Sequence, residues 1–241
     1  MNKKISIVCC LHGNERYGLD VIERFSDRIS CFVGNPLAAE KNARFLDSDM
    51  NRVFPGREDG NYEERKAFEL IEKLKDYDYV IDLHSTPNPC PLFGIITKPT
   101  KEKIEFAKDL GLDKLVIVSD DYASGRALID FVRCGISIEI GPSESEEIAE
   151  KVIEKLEKLS DKKETYPEVF EVFDIVKQEY EKIMIGNFEE VKKGQIITKD
   201  KRETQTAKKD FIAILVSEKP YNNVLCLAAR KVNLKDIKFY Y

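Results

Sequence analysis

The sequence lacks several features that define common classes of protein. It contains no tryptophan and only two histidines among 241 residues. Its six cysteines are scattered without a C-x-x-C pair, which argues against a disulfide framework or a zinc knuckle. No apolar run approaches the ~18 residues of a membrane span. The net charge is -5, and the lysine-rich stretches interleave with glutamates. We therefore expect neither membrane insertion nor nucleic-acid binding.

The composition that is present fits a globular protein with a substantial core. Hydrophobic residues make up 42% of the chain and charged residues 34%, which are proportions typical of soluble domains. The length accommodates one large domain, or a domain with a smaller one. The amino terminus passes directly into a short strand-like run without a signal-peptide pattern, so we expect a cytoplasmic protein. The sequence leaves open whether the protein forms a homo-oligomer.

The stretch LHGNERYG, residues 11–18, directly follows an apolar run over residues 5–10. This density of apolar residues predicts a buried strand, and the Gly-Asn pair after it favours a sharp turn. His12 and Glu15 then lie at the carboxyl end of the strand, where ligands bind in open α/β sheets. An imidazole and a carboxylate three residues apart at such a position are able to share one metal ion.

The following segments alternate between helical and strand-like patterns, which indicates βαβ units. The second histidine, His84, directly follows one of the predicted strands. Gly111 is predicted to end a helix, and Ser143 with Glu146 is predicted to form a capping box. The predicted helices have their apolar positions within residues 19–25, 67–74, 104–110 and 148–159, and the predicted strands are 28–33, 79–83, 92–97, 115–118 and 136–140.

The pattern changes after residues 161–164, where short strand-like pieces separated by turn residues replace the helical periods. We therefore predict one domain over residues 1–163 and a smaller, mostly β domain over residues 164–241. The strand-like pieces of the second domain include 182–185, 195–198, 211–217 and 224–229.

A long polar loop is predicted over residues 34–61, which show no sustained apolar period. Loops longer than about 12–15 residues are uncommon in compact domains unless they serve a site, so we expect substrate contact here. Arg44, Asn51 and Arg52 carry donors suited to a carboxylate or to a developing oxyanion. Alternatively, these arginines form ion pairs with the aspartates of the same loop.

The His-x-x-Glu spacing alone is weak evidence, because 44 of the 241 residues are acidic and chance often produces it. A lone histidine is also more often a hydrogen-bonded structural residue than a ligand. Both histidines, however, end apolar strands that we expect to be neighbours in one sheet, so their rings are able to converge. Two His and one Glu with an open fourth position match the ligand set of catalytic zinc hydrolases, whose metal activates a water molecule.

A candidate base is Glu139, the one acidic residue within the apolar strand ISIEIG. Partial desolvation of a carboxylate raises its pKa towards a value useful for proton transfer. The alternative interpretation is a glutamate on an edge strand that points to water.

Five segments occur in an order and a rough spacing that point to a family over most of residues 5–142. They are HGNE at 12–15, NPLA at 35–38, RFLDSDMNRVFPG at 44–56, DLHST at 82–86 and IEIGP at 138–142. Together they resemble the aspartoacylase and succinylglutamate desuccinylase family, a branch of the zinc carboxypeptidase clan. This resemblance implies an α/β fold like that of the zinc carboxypeptidases, with a mixed sheet flanked by helices and a smaller carboxyl-terminal, mostly β domain.

The resemblance also implies a catalytic centre with one Zn²⁺ per chain. The metal ligands would be His12, Glu15 and His84. Glu139 would be the general base that activates the metal-bound water, and Arg44 would polarise the amide carbonyl and stabilise the oxyanion.

Substrate-binding residues follow from the same resemblance. Asn51 and Arg52 would hold a substrate carboxylate. Tyr221, in the family-like segment SEKPY at 217–221, would contact another carboxylate. Aspartoacylases carry a further arginine shortly before the strand of the base, for which Arg126 is the candidate and Arg133 the competitor.

The function that we predict is a zinc-dependent amidohydrolase that cleaves the amide bond of a small-molecule N-acyl amino acid. One alternative is a small zinc carboxypeptidase that acts on short peptides, although a β domain acting as a lid suits small substrates better. The other alternative is a non-catalytic protein of the same fold that binds an amino acid or a metal. The sequence does not specify which acyl group and which amino acid the substrate contains.

Overall fold

The structure is a computed structural model that describes residues 3–119, 122, 125–142, 145, 147–159, 164–216 and 223–240. Its α-helices are α1 (Tyr17–Phe25), α2 (Pro36–Glu40), α3 (Tyr62–Leu74), α4 (Lys101–Asp109) and α5 (Glu147–Glu157). Its strands are β1 (Ile5–Cys9), β2 (Ser30–Val33), β3 (Tyr79–Ser85), β4 (Cys90–Ile96), β5 (Lys114–Ile117), β6 (Gly135–Gly141), β7 (Glu168–Lys177), β8 (Lys182–Ile183), β9 (Glu190–Val191), β10 (Ile196–Lys199), β11 (Thr204–Thr206), β12 (Phe211–Ile214) and β13 (Val224–Val232).

A large mixed sheet organises these elements in the order β2-β1-β3-β6-β4-β5-β7-β13-β12-β9. Its first four strands are parallel, β4 runs antiparallel to β6, and β5 is parallel to both β4 and β7. The remaining strands, β13, β12 and β9, pair antiparallel. A second antiparallel sheet has the order β11-β10-β8. The predicted class, a mixed α/β sheet with a carboxyl-terminal β region, is confirmed.

Helices cover both faces of the sheet, as the alternation of side chains along β1 shows. Ile7 and Cys9 pack into a core that includes α1, α4 and α5, whereas Val8 packs into a second core against α3. Successive side chains of a strand point to opposite faces, so a strand covered on both sides is apolar at every position. This explains the continuous apolar run of the opening segment.

The carboxyl-terminal strands continue the main sheet through β7, which was not among the predicted strands. Its sequence EVFEVFDIVK mixes apolar and charged residues, and its pairing with β5 and β13 joins the two halves of the chain in one sheet. The proposed division into domains at residue 163 stays a prediction, and residues 160–163 lie outside the described part of the chain.

Helix ends follow local chemistry where they are described. Asn61 and Glu64 form a capping box at the start of α3, since each side chain accepts a hydrogen bond from the other residue's backbone N–H. Gly111 follows α4 with a φ of 65° and donates its N–H to Lys108 O, as predicted for a C-cap. The predicted capping box of Ser143 and Glu146 lies outside the described residues. In the described part of the chain, no helix has the length and apolarity that a membrane-spanning segment requires.

Candidate active site

His12 and Glu15 lie in a tight turn just beyond β1. The Glu15 N–H donates to His12 O at 3.0 Å, and the Gly13 N–H donates to Arg44 O at 3.0 Å. The turn packs directly on α2, because a Cβ added at Gly13 would lie 2.2 Å from the carbonyl carbon of Ala38. This position therefore has no room for a side chain.

Replacing Gly13 with alanine should displace this turn and separate His12 from its partners. We expect the free energy of unfolding to fall by about 1–3 kcal/mol, as for other overpacked sites. Urea unfolding measures the change. The control is Gly186→Ala, because a Cβ there would have no heavy atom closer than Glu189 Oε2 at 4.0 Å. Equal stabilities of the two variants would contradict the prediction.

The second histidine joins this turn through the sheet, because β1 and β3 are parallel neighbours. The imidazole centroids of His12 and His84 lie 5.1 Å apart. His12 Nδ1 lies 2.8 Å from Glu15 Oε1, and His84 Nδ1 lies 3.0 Å from Glu15 Oε2. Each residue offers one ligand atom, and these atoms all lie within 4.8 Å of one another. The three residues thus form a buried group able to hold a metal ion.

An aspartate orients each imidazole from its other nitrogen. His12 Nε2 lies 3.1 Å from Asp49 Oδ1, and His84 Nε2 lies 2.8 Å from Asp82 Oδ2. Metal-binding histidines commonly donate their second ring nitrogen to a carboxylate, which fixes the orientation of the ring. Both Nδ1 atoms therefore face Glu15.

Opposing effects set the pKa values within this group. Burial alone would lower the pKa of both histidines, but nearby carboxylates outweigh this effect. Glu15 and Asp49 raise the pKa of His12. Asp82 and Glu15 raise the pKa of His84. The pKa of His12 is raised, and that of His84 lies well above its ordinary value. Burial alone would raise the pKa of Glu15, but the two histidines hold it well below its ordinary value. The carboxylate of Glu15 and the two imidazoles therefore stabilise one another's charged forms.

The donor chemistry of the group fits zinc. Two imidazole nitrogens and one carboxylate oxygen are the ligand set of many catalytic zinc sites, whereas magnesium and calcium prefer oxygen ligands throughout. His12, Glu15 and His84 are each at most 5% exposed. A zinc ion held here would have its preferred ligand types in a site that is shielded from bulk water.

Glu139 faces the same site from the neighbouring strand. It is the register partner of His84 across the parallel β3–β6 pair. Its side chain is half-buried and lines the same cavity as the three residues of the group. The alternative of an edge-strand glutamate is wrong, because β6 is flanked by β3 and β4.

The predicted loop brings its arginines to this cavity. Arg44 Nη2 lies 3.2 Å from His12 Nε2, and Arg44 Nη1 lies 3.6 Å from Glu15 Oε1. Arg52 also lines the cavity. Arg44 is in addition 3.6 Å from Asp49, so the ion pairing considered for this loop coexists with its approach to the site.

Asn51 is not among the residues that line the cavity. Its Oδ1 accepts a hydrogen bond from the Leu128 N–H at 2.9 Å, and its Nδ2 lies 3.4 Å from His84 Nε2. The amide thus connects the loop to the segment that precedes β6.

The two arginines considered for a further carboxylate are both exposed. Arg126 is exposed and is not among the residues that line the cavity. Arg133 pairs with Asp78, next to the amino-terminal end of β3 and opposite the site. Tyr221 lies outside the described residues.

The cavity above the group has a volume of about 290 Å³. A larger surface groove, of about 850 Å³, runs beside α5 and contains none of these site residues. The smaller cavity is therefore the one that combines the metal-binding group, a carboxylate and two guanidinium groups.

Comparison with known proteins agrees with this arrangement. The family described as the Succinylglutamate desuccinylase/Aspartoacylase catalytic domain matches residues 1–165 of the chain. The chain belongs to this family. The resemblance that the five segments indicated is thus confirmed.

Individual family members are more distant. A probable aspartoacylase from Acaryochloris marina is 33% identical over an alignment of 103 positions that covers 35% of this chain and 35% of that protein. An N-acyl-aromatic-L-amino acid amidohydrolase (carboxylate-forming) from Xenopus tropicalis is 30% identical over 104 residues, 34% of each chain. The chain thus matches about a third of the length of these relatives. The fold extends further, since murine aminoacylase 3 superimposes with a TM-score of 0.78 at 16% identity and 95% coverage of both chains.

Sequence reasoning missed the residues that support this family's site. Asp82 is fully buried two positions before His84, and the period of a strand places both side chains on one face. From this spacing, the sequence could have identified Asp82 as a partner of His84. Glu63 is also fully buried, on α3, and accepts hydrogen bonds from the backbone of the loop that carries Arg44. Nothing in the sequence distinguishes it from the other glutamates of that helix.

Proposed function

We propose that the protein is a zinc-dependent amidohydrolase that cleaves a small N-acyl amino acid with one water molecule, releasing a carboxylic acid and an amino acid. The observation that carries this proposal is the convergence of His12, Glu15 and His84 in one buried group. The cavity above this group also contains Glu139 and Arg44. The same proposal includes one zinc ion per chain and a cytoplasmic location.

Each residue has a defined part in the proposed reaction. His12, Glu15 and His84 would hold a zinc ion, which would supply Lewis-acid polarisation of the carbonyl and of the attacking water. Glu139 accepts the proton of the attacking water and returns it to the leaving amine. Arg44 stabilises the negative charge that develops on the carbonyl oxygen.

Substrate carboxylates need cations at the rim of the site. Arg52 is the cavity-lining residue proposed for this contact, and Asn51 supports the loop beside it. Tyr221, which belongs to the carboxyl-terminal segment, is proposed to contact a carboxylate of the substrate. Arg126 is proposed to take part in carboxylate binding from an exposed position.

The size of the cavity favours this substrate over a peptide. A volume of about 290 Å³ lies just below the range for small-molecule sites, roughly 300–1,000 Å³. Such a cavity accommodates one N-acyl amino acid. A carboxypeptidase with the same metal group would need space for the rest of its peptide.

Metal analysis with a hydrolysis assay tests the proposed function. We expect one zinc per chain, hydrolysis of at least one N-acyl amino acid, loss of activity on chelation and recovery when zinc is restored. His84→Ala should lose both zinc and activity, since it removes one ligand. The control is Lys193→Ala, at an exposed position far from the ligands in sequence and outside the cavity. One zinc per chain without turnover of any N-acyl amino acid would instead favour a binding protein.

Zinc affinity should depend steeply on pH. The raised pKa values of His12 and His84 mean that protons compete with the metal at a higher pH than for ordinary imidazoles. Below these pKa values, we expect the apparent Kd for zinc to rise about 10-fold per displaced proton for each unit of pH decrease. Competition titrations with a zinc-sensitive dye between pH 5.5 and 8.5 measure this slope. An affinity that is constant over this range would contradict the proton competition.

A further inference from the structure

The cavity has two unlike walls. The metal-binding group, Glu139 and the two arginines form the polar wall, on the β1–β3 side of the sheet and its loop. Strands β4, β7 and β13 and the residues next to β5 and β12 form the other wall. This aliphatic wall consists of Ile95, Val118, Ile175, Leu215, Val224 and Leu227.

The topology places the aliphatic wall directly beside the proposed base. Ile95 on β4 is the register partner of Ser137, which is two residues from Glu139 on β6. Farther along the sheet, Ile175 on β7 pairs with Leu227 on β13. All three aliphatic side chains are only partly buried, because they border the cavity.

The charged residues that the structure describes in the cavity lining all belong to the polar wall. Among the lining residues that the structure describes, the cations Arg44 and Arg52 both belong to the loop on the metal side, and the aliphatic wall has no lysine or arginine. A carboxylate against this wall would lose its water without gaining a cationic partner, which is strongly unfavourable. An apolar group would instead displace water from apolar surface.

We propose that the aliphatic wall is a subsite for an apolar substituent of the substrate. This inference rests on the proposed function and deepens it: the preferred substrate carries one carboxylate, held by the arginine side, and one aliphatic or aromatic group. That group belongs either to the amino-acid side chain or to the acyl chain. Substrates with a second carboxylate, such as N-acetylaspartate and N-succinylglutamate, are disfavoured, so the proposed contact of Tyr221 would be made to the same carboxylate that Arg52 holds.

A substrate series tests the subsite and identifies the source of the apolar group. The series compares N-acetylleucine and N-acetylphenylalanine, N-hexanoylglycine, N-acetylaspartate and N-succinylglutamate with the zinc-loaded protein. We expect kcat/KM to be about 10²-fold higher for at least one apolar compound than for either diacid. Preference for the first pair assigns the wall to the side chain, and preference for N-hexanoylglycine assigns it to the acyl chain.

Other results separate the two levels of the proposal. Chelator-sensitive hydrolysis that is fastest for a diacid would overturn the apolar subsite and leave the proposed amidohydrolase in place. Absence of turnover for every compound would remove the proposed function. Calorimetric binding of the same compounds then decides on the subsite: tighter binding of the apolar compounds supports it, and equal or weaker binding overturns it.

Paired variants on β7 locate the subsite. Ile175→Ala should lower the preference for the apolar compound about 10-fold, because it shortens the wall. Val176→Ala is the matched control, since Val176 has similar exposure but packs against a separate core. Equal changes in preference in the two variants would overturn the assignment of this wall.

Discussion

Replacing Glu139 with glutamine should lower kcat by about 10²–10⁴-fold while the protein keeps one zinc per chain. Glutamine preserves the size of the side chain but accepts no proton from water at neutral pH. Glu139 is the register partner of His84 and lines the cavity without belonging to the three-residue metal-binding group. The substitution therefore separates proton transfer from metal binding.

Metal analysis and steady-state kinetics on the same preparation test this expectation. The substrate is the best compound found for the wild-type protein. Glu171→Gln provides the control for loss of one charge, because Glu171 on β7 pairs with Arg230 at the surface and does not line the cavity. Wild-type kcat in Glu139→Gln would show that another group moves the proton. Loss of zinc would show that Glu139 acts on the metal group instead.

The framework of the site was predictable because short-range patterns determine it. Apolar runs that end near His12 and His84 predicted two buried strands, and their parallel pairing brings the imidazoles together. Glu139 stood out as a single acid in an apolar strand. These signals follow from the period of a strand and from the position of ligand sites in α/β sheets.

Contacts between distant segments were not predictable in the same way. The pairing of β7 with β5 and β13 joins the carboxyl-terminal strands to the main sheet, and a strand pattern alone does not specify its partners. The aliphatic wall depends on this pairing, since Ile175 and Leu227 meet only across it. The proposed substrate preference therefore had no signal in the local sequence, whereas the metal-binding group had one.

Glu63 shows how one buried charge organises a loop that has little regular structure. Its Oε1 accepts hydrogen bonds from Asn35 Nδ2 at 3.1 Å and from Leu46 N at 2.7 Å. Its Oε2 accepts from the N–H groups of Asp47 and Ser48 at 3.0 and 3.2 Å. These contacts hold the segment that follows Arg44, so the position of this guanidinium depends on α3.

Replacing Glu63 with glutamine should lower the free energy of unfolding by about 3 kcal/mol. The glutamine oxygen still accepts two hydrogen bonds, but its NH₂ group faces two further N–H donors, which then lose their acceptor in a partly buried site. Each buried donor without a partner costs about 1–3 kcal/mol. The loop should also loosen, which we expect to reduce kcat through Arg44 without removing zinc.

Urea unfolding and kinetics at a temperature where the variant stays folded distinguish these two effects. Glu69→Gln is the control, because Glu69 is exposed on the same helix and pairs with Lys66 at the surface. Its stability should stay within about 0.5 kcal/mol of the wild type. If Glu63→Gln were as stable and as active as this control, the buried carboxylate would not be what holds the arginine loop over the metal group.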